Sequence, residues 1–157
     1  MLLATDLDGT FLAGDPEDRL SLYQTIAAHP EIKLAYVTGR SLEAVLPLLA
    51  DPTLPQPDYI IADVGATLVH GDSLQPIQQL QGVVDARWPG ETQVASAIEP
   101  LGLERQDVPQ ARRCSYFCTP EQATNPALRA LLSRASTTAN FLNPAEAGSA
   151  QHVLSPV

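Results

Sequence analysis

Three short apolar segments recur in the first 65 residues, and each is hydrophobic almost throughout rather than alternating. They occupy residues 2–7, 33–38 and 58–63. Short unbroken apolar runs predict strands that are buried on both faces. Helices are predicted between them, over 16–29 and from the N-cap Ser41 to residue 50, with an early end or a kink at Pro47. Strands that alternate with helices indicate an α/β fold with a parallel sheet covered on both faces.

The pattern changes after residue 65, and we expect a second, α+β domain there. It is predicted to contain a strand and turn, two helices, another strand and a final helix, at 66–72, 76–86, 91–102, 112–118 and from Asn125. Beyond residue 135 the chain has no clear period. The predicted organisation is therefore a core at 1–65, a second domain at 66–135 and an irregular tail at 136–157.

Polar residues stand at the end of each predicted strand of the core. Asp6 and Asp8 follow the first strand, Thr38-Gly39-Arg40 follows the second, and Asp63 ends the third. Ligands of parallel sheets bind at the carboxyl ends of the strands, so these groups are predicted to converge.

Asp6 and Asp8 are the most informative pair in the chain. If the strand continues through them, side chains two residues apart point to the same face, so the two carboxylates lie close together. Two adjacent carboxylates repel unless a cation or a shared proton intervenes. This spacing predicts a site for a hard divalent metal, with one carboxylate available as a nucleophile.

Composition narrows the possible partners. The chain has 157 residues, 45% of them hydrophobic, and a formal net charge of −9. A strongly acidic chain argues against nucleic acid or an anionic membrane as partner, and we see neither a signal peptide nor a membrane-length apolar run. Cys114 and Cys118 lie four residues apart in one predicted strand, about 13 Å, which is too far for a disulfide. Free thiols predict a reducing, cytoplasmic location.

Two motifs resemble those of one enzyme family. Asp6-Leu-Asp8-Gly9-Thr10 is similar to the first motif of the haloacid-dehalogenase (HAD) type phosphatases, and Val37-Thr38-Gly39-Arg40-Ser41 to their second. The string from Asp58 to Thr67 resembles the sucrose-phosphate phosphatase branch. The resemblance implies a Rossmann-like core with a cap domain, and hydrolysis of a sugar phosphate, with sucrose 6-phosphate as the leading substrate.

The resemblance also implies roles for individual residues. Asp6 would attack phosphorus to give an aspartyl phosphate, and Asp8 would act as general acid and base. Mg²⁺ would bind the Asp6 carboxylate and the Asp8 backbone carbonyl. The remaining candidates for phosphate or substrate binding are Gly9, Thr10, Thr38, Gly39 and Arg40. For Arg40 the sequence leaves two interpretations open, a contact with substrate or a surface ion pair.

The sequence departs from the family pattern in its second half. The family uses a later lysine and a later acidic pair, but Lys33 is the one lysine here and the last aspartate is Asp107. The resemblance therefore indicates a truncated phosphatase with an incomplete core and a partial cap. We expect an unpaired apolar edge on the first strand and activity far below that of a complete enzyme. The alternative is a non-catalytic remnant, either a sugar-phosphate-binding module or a fragment that another chain completes.

Overall fold

The computed structural model of the chain describes residues 1–108, 112–128 and 130, and the backbone at 138–141 and 151–155. It divides into two compact units, Met1–Gln81 and Gly82–Val157. The sequence placed a boundary at 65/66, whereas the division falls after Gln81. The difference arises because residues 67–70 form a strand that pairs with the first sheet.

The first unit is built on a four-stranded sheet. Its strands are β1 (Leu2–Asp6), β2 (Lys33–Val37), β3 (Tyr59–Ala62) and β4 (Thr67–His70), in that spatial order. The first three are parallel, and β4 runs antiparallel to β3. The three predicted parallel strands are confirmed, with the first ending at Asp6 rather than Leu7.

Two helices connect the parallel strands. Helix α1 (Pro16–Ala28) begins after Asp15, whose side chain accepts a hydrogen bond from the Glu17 amide at 2.8 Å. Helix α2 (Leu42–Leu49) begins after Ser41, which acts as the predicted N-cap. It continues through Pro47 and ends two residues later. Each helix thus begins where a side-chain oxygen satisfies a free backbone amide.

The core of the first unit lies between this sheet and its helices. Its most deeply buried side chains come from the strands, the turn after β1 and α2: Leu7, Leu34, Tyr36, Val45 and Ile60. In contrast β1 is poorly covered, and Leu2 is 63% exposed. Among the described residues no strand pairs with the outer side of β1. Such an apolar edge is open to pairing with another strand.

The described part of the second unit contains helices, including helical residues at 126–128 and 130, and a small antiparallel sheet. Helix α3 (Gln78–Arg87) crosses from the first unit, and α4 (Glu91–Ile98) and α5 (Pro120–Thr124) follow. The strands are β5 (Glu104–Arg105), β6 (Cys114–Phe117), β7 (Thr138–Phe141) and β8 (Gln151–Ser155), in the order β5-β6-β8-β7. A small apolar cluster packs α4 on β6, formed by Val94, Ile98, Cys114, Tyr116 and Leu128.

Two strands occupy the segment expected to be irregular. Because β8 pairs with both β6 and β7, its conformation depends on long-range pairing, which a local hydrophobic period does not reveal. Residues 136–137, 142–150 and 156–157 of that predicted tail lie outside the described part. Cys114 and Cys118 are both free thiols, as predicted, and the structure buries both of them. In the described ranges, no helix has the length and apolar character needed to cross a bilayer.

Candidate active site at the carboxyl edge of the first sheet

The carboxyl edge is defined here as the three segments that follow the parallel strands, Asp6–Thr10, Thr38–Arg40 and Asp63–Gly65. The first is a tight turn between two buried anchors, Leu7 and Phe11, which are 1% and 4% exposed. Gly9 sits in the turn with φ +75°, a conformation that favours glycine. The anchored turn leaves Asp6, Asp8, Gly9 and Thr10 exposed at the surface.

The two aspartates reach the same neighbourhood by this turn rather than by strand alternation. The strand ends at Asp6, and the chain turns at Leu7 before Asp8 resumes an extended conformation. Asp6 Oδ2 accepts a hydrogen bond from the Thr10 hydroxyl at 3.4 Å. Asp8 turns toward Arg40, on the neighbouring segment. The negative charges of Asp6 and Asp8 both raise the pKa of Arg40, so the two carboxylates act on the same guanidinium group.

Arg40 forms a two-pronged ion pair with Asp8. Its Nε donates to Asp8 Oδ2 at 2.8 Å and its Nη2 to Asp8 Oδ1 at 2.5 Å. This hydrogen bonding lowers the pKa of Asp8, against a smaller opposing effect of burial. In turn the pKa of Arg40 is raised, chiefly by the bond to Asp8 and also by the charge of Asp6. The ion-pair interpretation is therefore the one observed, and its partner is a candidate catalytic carboxylate.

The Thr38–Arg40 turn leads directly into α2. Thr38 is 3% exposed, and its Oγ1 accepts a hydrogen bond from the Arg40 amide at 3.1 Å. Gly39 is exposed at the tip of the turn. The amide of Gly39 and the first turn of α2 offer the donor groups and the positive dipole end that favour an anion.

The third segment supports the second. Asp63 is 1% exposed and its Oδ2 accepts a hydrogen bond from the Thr67 hydroxyl at 2.7 Å. Its backbone amide donates to the Arg40 carbonyl at 2.8 Å, and the Val64 amide donates to the Thr38 carbonyl at 3.2 Å. The sequence singled out Asp63 as one of the strand-end acids, but it gave no prominence to Val64. The only local signal for a special turn there is the glycine that follows.

Lys33 lies at the opposite edge of the sheet. It begins β2, five residues before Thr38, which corresponds to about 16 Å along an extended strand. Its Nζ forms an ion pair with Asp58 Oδ1 at 2.8 Å. Lys33 therefore cannot neutralise charge at Asp6, and in the described residues this role falls to Arg40.

The donor set for a metal ion is small. The described residues contain no cluster of three or more His, Cys, Asp or Glu side chains that could hold a metal. The Arg40 fork occupies both carboxylate oxygens of Asp8. The exposed Asp6 carboxylate and the Asp8 backbone carbonyl remain. These two oxygens fit a Mg²⁺ ion that takes its other ligands from water and from a bound phosphate, as this ion commonly does.

The parallel sheet and these strand-end groups define the class of HAD-like hydrolases. A model of the family described as sucrose-6F-phosphate phosphohydrolase matches residues 1–147, and the chain belongs to that family. Among solved structures, the chain is similar to the sucrose-phosphatase of Synechocystis, solved with sucrose and phosphate. That match has a TM-score of 0.71 and 23% identity, covering 99% of this chain and 64% of the other.

Two characterised relatives give further context. A glucosylglycerol-phosphate synthase from Pseudomonas anguilliseptica is 84% identical over 128 residues, which are 82% of this chain and 17% of the relative. A mannosylfructose-phosphate phosphatase from Agrobacterium fabrum is 38% identical over 71 residues, 44% of this chain and 28% of the relative. The chain thus spans less than a third of each of these two proteins.

Proposed function

We propose that the chain hydrolyses, or forms the phosphate-handling part of a protein that hydrolyses, the phosphate monoester of a phosphorylated glycoside. The observation that carries this proposal is the ion pair of Arg40 with Asp8 beside the exposed Asp6, at the edge where the Thr38–Gly39 turn enters a helix. The proposed nucleophile and acid–base group both follow β1, and the anion-binding turn follows the neighbouring strand β2.

In the proposed reaction, Asp6 attacks phosphorus and the bond from phosphorus to the sugar oxygen breaks. Asp8 gives its proton to the departing oxygen, and the sugar leaves as an alcohol. Asp8 then takes a proton from water, and the resulting nucleophile releases inorganic phosphate from Asp6. Because Arg40 holds Asp8 as a carboxylate, the acid step requires the guanidinium to leave Asp8, for which an incoming phosphate is a suitable competing anion, and the released carboxylate then takes up a proton from water before it donates one.

Other groups at this edge bind the phosphate. The Thr38 hydroxyl hydrogen and the Gly39 amide would donate to its oxygens, with Gly9 and Thr10 shaping the turn beneath it. Mg²⁺, held by the Asp6 carboxylate and the Asp8 carbonyl, would offset the repulsion between the carboxylates and the phosphate. We place this activity in the cytoplasm, in keeping with the two free thiols of the second unit.

The substrate class follows from a feature that the matched names share. The family description, the synthase and the Agrobacterium phosphatase name phosphates of sucrose, glucosylglycerol and mannosylfructose. Each of these names is that of a phosphorylated glycoside. Sucrose 6-phosphate is the leading substrate from the sequence motifs, and the 84% identity to the synthase adds glucosylglycerol phosphate as a second candidate.

The direct test is release of inorganic phosphate from these two substrates by the full chain, with Mg²⁺ and with a chelator. We expect low but chelator-sensitive release from at least one of them. Asp6→Asn should abolish it, since the amide cannot form the aspartyl phosphate. Asp58→Asn, the same change at the other edge of the sheet, is the control and should retain it. Release that survives Asp6→Asn would contradict the proposed nucleophile.

A non-catalytic sugar-phosphate-binding module is the second candidate function. It is favoured by the position of Lys33 at the opposite edge and by the lack of a three-acid cluster in the described part of the chain. It predicts that both sugar phosphates bind, that no phosphate is released, and that Asp6→Asn leaves or improves the affinity by removing a repulsive charge. Calorimetric titration beside the release assay separates the two functions.

A further inference from the structure

An unusual backbone conformation lies next to the anion-binding turn. Asp63, Val64 and Gly65 have successive positive φ angles of 54°, 57° and 91°. Glycine adopts this region freely and aspartate tolerates it, but a β-branched residue rarely does. Val64 is therefore the strained member of the three.

The strained residue is hydrogen-bonded to the Thr38–Arg40 turn through its backbone, and its side chain lies on the side of Gly39 where a Cβ would project. Its amide donates to the Thr38 carbonyl at 3.2 Å. Its Cγ2 methyl lies 3.9 Å from the point that a Cβ on Gly39 would occupy, which is ordinary van der Waals contact. With the bond from the Asp63 amide to the Arg40 carbonyl, the turn is held by hydrogen bonds at both ends.

We propose that Val64 is a positioning residue, which fixes the Thr38–Arg40 turn so that its hydroxyl and amide groups and the Arg40 side chain meet a phosphate in one arrangement. The inference rests on the proposed function for its ligand, and its contacts are those just described. Strained residues persist where the surrounding structure holds them, and they are concentrated at functional sites. The contact path runs from Val64 to the turn and, through Arg40, to Asp8.

Three variants of the full chain test this inference. Val64→Gly adopts the same backbone without strain but removes the side chain, while Val64→Ile keeps a β-branched side chain. Leu74→Gly is the matched control, since Leu74 also has a positive φ, 56°, in the segment between β4 and α3. Thermal unfolding establishes that each variant is folded.

Two readouts are needed. The first is the NMR shift and hydrogen exchange of the Gly39 and Arg40 amides without ligand, and the second is the affinity for orthophosphate. We expect Val64→Gly to shift both amides, speed their exchange and weaken orthophosphate binding about tenfold, because small misplacements at such sites have large effects. Val64→Ile should resemble the parent, and Leu74→Gly should leave both readouts unchanged.

The inference is overturned if Val64→Gly, although folded, alters the two amides no more than Leu74→Gly does. It is also overturned if the amides shift in Val64→Gly but orthophosphate binds as tightly as to the parent. If the parent itself fails to bind orthophosphate, the proposed function loses its phosphate site, and the amide readout still decides whether Val64 holds the turn. The two failures are thereby distinguishable.

Discussion

The two edges of the first sheet each carry an ion pair between different segments, but the pairs are built differently. At the carboxyl edge, Arg40 grips Asp8 with two nitrogens while the charge of Asp6 lies nearby. At the opposite, amino edge, Lys33 contributes a single nitrogen to Asp58. Asp58 uses its other oxygen to accept from the Leu34 amide at 2.9 Å, so both of its oxygens have backbone or side-chain donors on β2.

The backbone differs between the edges as well. Gly9 and Gly65 at the carboxyl edge have positive φ angles, and a Cβ at either position would meet no atom within 4 Å. Gly71 at the amino edge has no positive φ, but a Cβ there would lie 1.8 Å from the Pro57 carbonyl oxygen. The first edge is therefore open and conformationally strained, and the second is tightly packed.

We interpret the carboxyl edge as the functional edge of the sheet and the amino edge as a structural one. Excess negative charge, exposed glycines and a strained valine would all be unfavourable in a region selected for stability alone. They are concentrated where a phosphate and a cation would bind. The amino edge instead joins β2, β3 and β4 through short, satisfied contacts. Variants at the two edges should accordingly separate loss of activity from loss of stability.

After the loss of all phosphate release expected for Asp6→Asn, the largest effect is that of Asp8→Asn on the same release. The amide cannot exchange a proton with the leaving oxygen or with water, so we expect the catalytic rate to fall by about 10²–10⁴-fold. Because Asp8 is exposed, the variant should unfold at nearly the parent temperature. The measurement is the release of inorganic phosphate from sucrose 6-phosphate or glucosylglycerol phosphate, whichever the parent hydrolyses faster, with Asp58→Asn as control. A variant that keeps more than a tenth of the parent rate would remove Asp8 from the acid–base role.

The second prediction concerns Gly71→Ala at the amino edge. The new methyl would meet backbone atoms of Pro57, which cannot rotate away, so strand β4 or the preceding loop must shift. We expect the free energy of unfolding to fall by about 3 kcal/mol, at the upper end of overpacking costs. Urea unfolding measures this loss.

Gly65→Ala is the comparison from the carboxyl edge, where space is available but φ is unfavourable. Gly65→Ala should lower the free energy of unfolding by about 1 kcal/mol, which is the usual destabilisation when alanine occupies the left-handed region. If Gly71→Ala and Gly65→Ala lost the same free energy of unfolding, steric crowding would not be what distinguishes the amino edge from the carboxyl edge.

The sequence predicted the parallel strands well because each is a short apolar run bounded by polar residues. It also identified Asp6, Asp8 and the Thr38–Arg40 turn as candidate site residues, because each stands at the end of such a run. Their functional roles remain proposals. The pairing of Arg40 with Asp8 was not predictable, because 32 residues separate the two and only the strand order brings them together.

Other features were beyond the sequence for a different reason. Neither the composition nor the hydrophobic period reveals the strained conformation of Val64. Valine rarely adopts a positive φ, so the residue type itself predicts an ordinary backbone there. The strand β8 depends on partners distant in the chain, and a local pattern cannot show them. The sequence is thus informative where one segment determines its own structure, and less so where several segments determine it together.

The third prediction compares reciprocal exchanges of the two basic residues. Arg40→Lys keeps the positive charge but loses the planar pair of donors that reaches both Asp8 oxygens. In the proposed reaction Arg40 exchanges Asp8 for the phosphate, so loss of one of its two charge-assisted hydrogen bonds to that anion should lower kcat/KM about tenfold. Lys33→Arg should leave kcat/KM unchanged and have little effect on stability, because Lys33 is exposed. An unchanged kcat/KM for Arg40→Lys would show that the charge of Arg40 is sufficient and that its shape is not used.

The smallest effect is a pH-dependent loss of stability in Asp58→Asn. The hydrogen bond from Lys33 lowers the pKa of Asp58 below its ordinary 3.8, so in the unfolded chain this carboxyl takes up its proton at a higher pH than in the folded one. The ionised pair therefore stabilises the fold above about pH 4, and this contribution is lost as the pH falls through the folded-state pKa.

We expect Asp58→Asn to be less stable than the parent by about 1 kcal/mol at pH 7, the scale of a partly exposed ion pair with a hydrogen bond. The gap should narrow as the pH falls below 4, because the parent then loses the same charge. Urea unfolding from pH 3 to 7 measures it. Asp8→Asn should show a smaller gap at pH 7, since removing that charge also relieves repulsion with Asp6. If instead the Asp58→Asn gap stayed constant across this range, the contacts of Asp58 would stabilise the amino edge by packing and neutral hydrogen bonding alone.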